Sequence, residues 1–198
     1  MKNTNSKDPA TLRAFIAIDI GGEIRETLRN MQNELKETGA DVRWLKTDGI
    51  HLTLKFLGNI PEDKVTAIAD GMDRAAKGIQ PMEIRVNGYG AFPSTMRPRV
   101  VWVGITVPEQ LGLLYERIEA EMEGVGFQRE TRKFHPHLTL GRVRSPKGQE
   151  KLLPFFESWK DREVGSFVAK DLILFKSTLL PIGAEYSRLR SVPFGQNQ

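Results

Sequence analysis

The residues best suited to chemistry are two histidines that open the same tetrapeptide. His-Leu-Thr-Leu occurs at 51–54 and again at 137–140, in a protein with only three histidines. Side chains alternate between the two faces of a strand, so the histidine and threonine point one way while the leucines point into the core. Each tetrapeptide is therefore predicted to present an imidazole beside a hydroxyl.

Two such pairs facing one another would suit acid/base chemistry on a phosphoryl group. Opening a cyclic phosphodiester requires a base that takes a proton from water and an acid that protonates the departing ribose oxygen. Imidazole can serve either role because its pKa lies near 6.5, and such proton transfer contributes about 10²- to 10⁴-fold. Thr53 and Thr139 would donate hydrogen bonds to the non-bridging oxygens. The scheme uses no metal or other cofactor.

The third histidine, His135, permits a different interpretation. It shares strand parity with His137, so the two together with His51 could form a three-histidine zinc site with an open position for water. This alternative leaves both threonines unexplained.

The same order of predicted elements leads to each tetrapeptide. His137 follows His51 by 86 residues, and Trp102 follows Phe15 by 87, with both aromatic residues expected in the core. This nearly constant offset indicates an internal duplication. The first copy has a strand, a helix and two strands at 12–18, 24–35, 42–45 and 50–57. The second has a strand, a helix, a short segment and a strand at 99–107, 111–125, 127–129 and 137–143.

The duplication predicts an α+β fold with two pseudo-symmetric lobes, mainly antiparallel sheets with flanking helices around a central cleft. No linker rich in proline, glycine or serine divides the chain, so 12–198 is expected to form a single bilobal domain after a disordered tail at 1–11. The remaining predicted elements are helices at 61–77 and 149–159 and strands at 82–87, 164–170, 172–177 and 186–191.

The composition is typical of a soluble protein, with 39% hydrophobic and 27% charged residues. No apolar run approaches the roughly 20 residues of a membrane span, and the polar start lacks the apolar region of a secretory signal. With no cysteine there can be no disulfide, so the cytoplasm is the expected location. The formal charge of +4 favours phosphate-bearing partners. Basic residues gather near the second tetrapeptide, at Arg129, Arg132, Lys133, Arg142, Arg144 and Lys147.

At these residues the sequence resembles the two-histidine (2H) phosphoesterases, and within them the RNA 2′,3′-cyclic phosphodiesterases, also called 2′-5′ RNA ligase-like proteins. The resemblance rests on the strand at 13–18, Arg-Trp-Leu at 43–45, the extended motif His-Leu-Thr-Leu-Lys-Phe-Leu-Gly at 51–58, and Pro-His-Leu-Thr-Leu at 136–140. It covers nearly the whole chain. Two residues depart from it: His135 before Pro136, and Gly141, where an alanine is common.

The resemblance implies hydrolysis of a terminal 2′,3′-cyclic phosphate to a 2′-phosphate without a metal. It makes His51 the proton donor to the 3′ oxygen and His137 the proton acceptor from water. Reverse joining of 2′-5′ RNA ends is implied as a minor activity. The partners would be RNA ends, such as tRNA halves, or small cyclic nucleotides, and an internal pseudo-dimer is expected to act as a monomer. The alternative is a binding module that holds RNA ends or nucleotides without turnover.

Three further residues are candidate substrate contacts. Lys55 lies on the predicted strand face of His51 and could reach a phosphate. Arg142 has the wrong parity relative to His137, so it enters the cleft only if the strand ends or bulges there. Trp44 could stack on a terminal base, as aromatic residues do with single-stranded RNA, or pack in the core beside its apolar neighbours.

Overall fold

The computed structural model describes residues 10–181 and 183–196. Over them the chain forms four α-helices and nine β-strands. Of the predicted tail, residues 1–9 lie outside the described residues. The strands are β1 (Thr11–Asp19), β2 (Val42–Trp44), β3 (His51–Pro61), β4 (Met82–Phe92), β5 (Val100–Ile105), β6 (His137–Val143), β7 (Glu163–Ala169), β8 (Asp171–Leu180) and β9 (Gly183–Pro193). The helices are α1 (Gly22–Lys36), α2 (Lys64–Ala76), α3 (Glu109–Gly124) and α4 (Leu153–Ser158).

The strands form two antiparallel sheets that exchange strands between the two copies. One sheet has the order β3-β1-β8-β9 and the other the order β2-β6-β5-β4-β7. Strand β4 follows the first copy but pairs with β5 of the second, and β8 follows the second copy but pairs with β1 of the first. The prediction of an α+β fold with two pseudo-symmetric antiparallel lobes is confirmed, although each lobe draws on both halves of the chain.

The helices are exchanged in the same way. Helix α1 carries a buried apolar stripe at Ile24, Leu28, Met31 and Leu35, the spacing that places residues on one helix face. This stripe packs towards the five-stranded sheet, where α1 contacts β7, whereas α3 contacts α2 and β3. The helix of each copy therefore covers the sheet that holds the tetrapeptide of the other copy.

The leucines of both tetrapeptides anchor their strands in the core. Leu52, Leu138 and Leu140 are fully buried, and Leu54 is almost so. Burying a leucine side chain stabilises the fold by about 1.5–3 kcal/mol, and a slip of one residue would expose these side chains. The core thus fixes the register that turns each histidine and threonine to the opposite face, as the alternation predicts.

Each tetrapeptide strand also carries a β-bulge at its second leucine. Leu54 of β3 has no partner on β1, and Leu140 of β6 has none on β5. A bulge adds one residue to the strand, which reverses the side-chain parity beyond it. The next residue of each strand consequently turns to the core, and the one after it, Phe56 or Arg142, faces the same way as the histidine.

The structure specifies two predicted segments further. The short segment at 127–129, to which the sequence assigned no element, forms no strand, whereas its counterpart in the first copy pairs with β6 as β2. The predicted helix at 149–159 consists of a 3-10 turn at Gln149–Leu152 followed by α4. No helix within the described ranges is long and apolar enough to cross a membrane.

Candidate active site

His51, the first residue of β3, lies in an aromatic environment. The ring of Phe15 stacks on it at 4.5 Å between centroids, and the ring of Tyr186 meets it edge-on at 5.1 Å. Phe175 completes the group at 5.9 Å. Phe15 is buried as expected, but it belongs to the surroundings of the histidine. This environment shields His51 from water.

His137, the first residue of β6, has a lighter aromatic covering. Phe92 meets its ring edge-on at 4.9 Å, and Trp102 lies at 6.3 Å. The indole lies flat over β4 because residue 90 is a glycine, since a Cβ at Gly90 would come within 2.4 Å of the Trp102 ring.

The two imidazoles are held by the same type of hydrogen bond. Nδ1 of His51 lies 2.8 Å from the carbonyl oxygen of Gly49, and Nδ1 of His137 lies 2.7 Å from that of His135. A carbonyl oxygen can only accept, so Nδ1 carries the proton in both rings. Nε2 of each neutral ring therefore keeps its lone pair and can accept a proton, or donate one once the ring is charged.

Burial lowers the pKa of both histidines. It lowers the pKa of His51 to about 4, against the opposing effects of the Gly49 carbonyl and the Asp19 carboxylate. Burial also lowers the pKa of His137, and the positive charge of Arg142 adds to this effect. An anion held beside the rings would favour their charged forms and so raise both values.

A charged network borders His51 on the side of β1. Asp19 pairs with His51 across the two strands and accepts hydrogen bonds from Arg25 and, at 2.6 Å, from Arg188. These residues and Tyr186 line a cavity of about 170 Å³ beside the imidazole. A larger depression of about 550 Å³ at α2 and the end of α3 is lined by none of the tetrapeptide residues.

The threonines lie on the same strand faces as the histidines. Thr53 pairs with Ala17, Thr139 pairs with Trp102, and both threonines are half-buried. Strands β3 and β6 contact each other, so the two strands that carry the motifs adjoin where the sheets meet. We call the space that these two strand faces line the cleft.

Arg142 enters the cleft because of the bulge at Leu140. It lies on β6 directly opposite Arg43 of β2, and its side chain is exposed. Its positive charge acts on both His137 and Tyr186. The sequence allowed Arg142 to enter the cleft only if the strand ended or bulged there, and β6 does bulge at Leu140.

Lys55 does not share the face of His51, and this prediction was wrong. The bulge at Leu54 turns its side chain into the core, where Nζ lies 2.8 Å from Glu119 Oε2 and 3.0 Å from the carbonyl oxygen of Gln128. Both members of the ion pair are almost completely buried. Lys55 therefore ties β3 to α3 and to the segment that leads into β6, and it cannot bind substrate from this position.

Trp44 also lies on the core face, where it is half-buried, which is the second of the two places that the sequence allowed for it. Its strand neighbour Arg43 faces the cleft, while Trp44 and Val42 cover Gly141 from the other side. A Cβ at Gly141 would lie 2.6 Å from Val42 Cγ1 and 2.9 Å from Trp44 Cε3. The glycine that departs from the family pattern thus makes room for the tryptophan.

His135 does not complete a metal site. Strand β6 begins only at His137, so His135 lies outside the strand parity that the zinc alternative assumed, and its side chain is exposed. No three His, Cys, Asp or Glu side chains within the part of the chain that the structure describes are grouped closely enough to hold a metal ion. The three-histidine arrangement is not formed.

Comparison with known proteins agrees with the duplicated site. The sequence profile of the family described as LigT-like phosphoesterase matches the chain twice in succession, over residues 18–102 and 103–186. Each match contains one tetrapeptide and its histidine. The chain belongs to the LigT-like phosphoesterase family. The resemblance to the 2H phosphoesterases and the internal duplication are both confirmed.

Relatives of this LigT-like protein agree along nearly their full length. A protein of Methanothermobacter thermautotrophicus named RNA 2′,3′-cyclic phosphodiesterase is 35% identical over 89% of this chain and 95% of its own. The crystal structure of TT0787 from Thermus thermophilus has a TM-score of 0.79 and 25% identity, covering 92% of this chain and 98% of that one. The crystal structure of E. coli LigT complexed with 3′-AMP has a TM-score of 0.74 and 25% identity, covering 94% and 100%.

Several residues of this LigT-like site were not identified from the sequence, among them Asp19, Tyr186 and Gln32. Tyr186, on β9, borders His51 although it lies far from it in the chain. Gln32, on α1, is buried, and its Nε2 donates at 2.9 Å to both the Leu45 and the Leu140 carbonyl oxygens, so it holds the bulge that directs Arg142. Glu119 follows Gln32 by 87 residues, which is the offset of the duplication. The sequence did contain a signal for Gln32 and Glu119, because each is a polar residue at the same position of the helix in its copy.

Proposed function

We propose that this protein is an RNA 2′,3′-cyclic phosphodiesterase that hydrolyses a terminal cyclic phosphate to a 2′-phosphate, with His51 and His137 as its acid/base pair. The observation that carries this proposal is the matched presentation of the two rings. Each donates Nδ1–H to a carbonyl oxygen two residues earlier and keeps Nε2 for chemistry. The name of the Methanothermobacter relative supports the substrate class.

In the proposed reaction a water oxygen attacks phosphorus while His137 Nε2 takes a proton from that water. The bond between phosphorus and the 3′ oxygen breaks, and protonated His51 gives its Nε2 proton to this oxygen. Thr53 and Thr139 donate hydrogen bonds to the non-bridging oxygens, and Arg142 balances their charge. The phosphate remains bonded through the 2′ oxygen. If the 5′ hydroxyl of a second RNA took the place of the water, the same steps would leave a 2′-5′ linkage, so such joining is proposed as a minor activity.

The donor role places a specific demand on His51. Its burial favours the neutral ring, so the bound phosphate must supply the charge that holds the proton there. Asp19, directly across the strand pair, acts in the same direction because its carboxylate raises the pKa of His51. The proton is thus placed on His51 when the anionic substrate is in the cleft.

We also propose that the protein acts as a monomer in the cytoplasm. The two copies of the motif complete one cleft within a single chain, and a sequence without cysteine fits a reducing compartment. RNA halves produced by cleavage of tRNA carry the proposed terminal group and are candidate substrates.

The test is an assay of the purified protein, with a chelator present, on a short RNA that ends in a 2′,3′-cyclic phosphate. We expect turnover to a 2′-phosphate, distinguished from the 3′-phosphate by chromatography. Tight binding of this RNA without any product would instead establish the binding module. Loss of activity on chelation, restored by zinc, would contradict the metal-independent mechanism.

A further inference from the structure

Three arginines lie on the two sheets that border the cleft. Arg43 of β2 and Arg142 of β6 are directly opposite in the strand register, so their side chains leave the sheet on the same face. In the other sheet Arg13 of β1 is opposite Ser177, which is opposite Tyr186. All three arginine side chains are exposed.

These cations lack carboxylate partners. Across residues 10–181 and 183–196, no Asp or Glu oxygen lies within 4.0 Å of the guanidinium of Arg13, Arg43 or Arg142. Arg25 and Arg188, by contrast, both pair with Asp19, and Arg188 also lies 3.9 Å from Asp171. Like charges directly opposite on neighbouring strands destabilise a sheet. A bound anion would relieve this repulsion.

All three cations act electrostatically on one side chain, Tyr186. Burial raises the pKa of its phenol, and the charges of Arg142, Arg13 and Arg43 all oppose that rise. The same ring is in edge contact with His51. The arginines are therefore next to the proposed site of the cyclic phosphate.

The combined charge of the three arginines exceeds the charge of the cyclic phosphate that reacts. A cyclic phosphate carries one negative charge, and Arg142, whose charge also reaches His137, is the arginine placed to meet it. Arg13 and Arg43 are then left for a second anionic group. Residue Gly183, at the start of β9, lies beside Arg43, because a Cβ there would be 3.7 Å from Arg43 Nη2. The hairpin of β8 and β9 thus borders the group without neutralising it.

We propose that Arg13 and Arg43 bind the phosphodiester one nucleotide upstream of the cyclic end, which makes an oligonucleotide a better substrate than a cyclic mononucleotide. This inference rests on the proposed function. Guanidinium groups suit the site because their planar donors match phosphate oxygens two at a time. A cyclic mononucleotide has no such phosphodiester, so it gains nothing from either arginine.

The test compares two substrates with the same terminal base, a cyclic mononucleotide and a trinucleotide that ends in the same cyclic phosphate. Wild type, Arg13→Gln and Arg43→Gln are assayed for kcat/KM on both. Arg85→Gln is the matched control. Arg85 is an exposed arginine on a strand of the same sheet as Arg43, and its backbone carbonyl accepts a hydrogen bond from the Thr106 amide, which the substitution leaves in place. Each assay is repeated at several salt concentrations.

We expect wild type to prefer the trinucleotide, and each cleft variant to lose roughly 10-fold in kcat/KM on the trinucleotide alone. The slope of log kcat/KM against log salt for the trinucleotide should become less steep by about 0.7 for each arginine removed. Arg85→Gln should behave as wild type.

Equal losses on both substrates, or no loss on either, would overturn the upstream site. A loss in kcat/KM for Arg85→Gln as large as that of the cleft variants would also overturn the site, because the loss would then come from the change in overall charge. Failure of the proposed function has a different signature, since wild type would then hydrolyse neither substrate.

Discussion

The two halves of the cleft use one motif in two different environments. In the His51 half three aromatic rings surround the imidazole, the charged network around Asp19 borders it, and Phe56 lies at the second position after the bulge. The His137 half is more open and cationic, and Arg142 occupies the position equivalent to Phe56. The backbone is arranged in the same way in both halves, since each has the bulge and a carbonyl oxygen that accepts a hydrogen bond from Nδ1 of the histidine.

This difference shows how a duplicated motif acquires two roles. Repeated backbone geometry presents two equivalent Nε2 atoms, while the side chains around them set the charge that each ring prefers. Burial makes His51 the ring whose protonation depends more strongly on a bound anion. Arg142 makes the His137 half the place where that anion gains a permanent cation.

The buried clamps of the two halves also differ, and breaking one should have the largest effect. In one half Gln32 holds the bulge through neutral hydrogen bonds, and in the other the Lys55–Glu119 ion pair holds the strand. Lys55→Met would leave a buried carboxylate unpaired, which costs about 3–5 kcal/mol of unfolding free energy. Urea denaturation measures this loss.

A matched control for that variant is Arg74→Met, which breaks an exposed pair with Glu121. This pair contributes at most about 1 kcal/mol, since water screens it. The double variant Lys55→Met/Glu119→Leu should recover much of the stability lost by Lys55→Met. A Lys55→Met protein as stable as wild type would refute the clamp.

The second prediction concerns the pH dependence of stability. The pKa of His51 is lowered from 6.5 to about 4 by folding, so the unfolded chain binds a proton more readily between these values. Stability from the neutral ring is complete above pH 6.5 and is lost as the pH falls towards 4, by about 3 kcal/mol. His51→Phe should lack this loss when unfolding is measured at both pH values.

His137→Phe should remove a smaller pH dependence of the same sign, because the burial of His137 lowers its pKa less. If the stability difference between wild type and His51→Phe does not change with pH, the effect of burial assigned to His51 is wrong.

The third prediction concerns Phe56 and Arg142, which occupy equivalent positions in the two copies. Arg142→Gln removes a charged hydrogen-bond donor to the phosphate, so kcat/KM should fall by roughly 10- to 100-fold. Phe56→Gln removes no charge from the cleft and should have the smaller effect on the same RNA substrate. An equal loss in both variants would mean that the two halves handle the phosphate alike.

The smallest expected effect comes from Gly141, where the second half is tightly packed. Gly141→Ala would place a methyl group against Val42 and Trp44, which should cost roughly 1–2 kcal/mol of unfolding free energy. Gly124→Ala is the control, since the structure places no atom within 4 Å of a Cβ there. Thermal unfolding of both variants measures the difference, and equal melting temperatures would contradict the close packing.

Local patterns in the sequence predicted most of the secondary structure and the paired motifs. The alternation in the tetrapeptides predicted which side chains are buried, because the leucines need the core whatever strand lies beside them. The bulges at Leu54 and Leu140 could not be predicted, since they depend on how the partner strands align. Lys55 was placed on the wrong face for this reason, and its partner Glu119 lies 64 residues away. The exchange of β4 and β8 likewise depends on long-range pairing.

The central claim is that His51 and His137 act together, and single-turnover rates of His51→Ala, His137→Ala and His135→Ala test it most directly. The substrate is a short RNA with a 2′,3′-cyclic phosphate. Each variant of the pair should lose at least about 10²-fold in rate, and the double variant should lose little more than either one, since the residues act as a unit. His135→Ala should keep close to the wild-type rate, because it retains the backbone carbonyl that accepts the hydrogen bond from His137 Nδ1. A wild-type rate in either variant of the pair, or an equal loss in His135→Ala, would contradict the two-histidine mechanism.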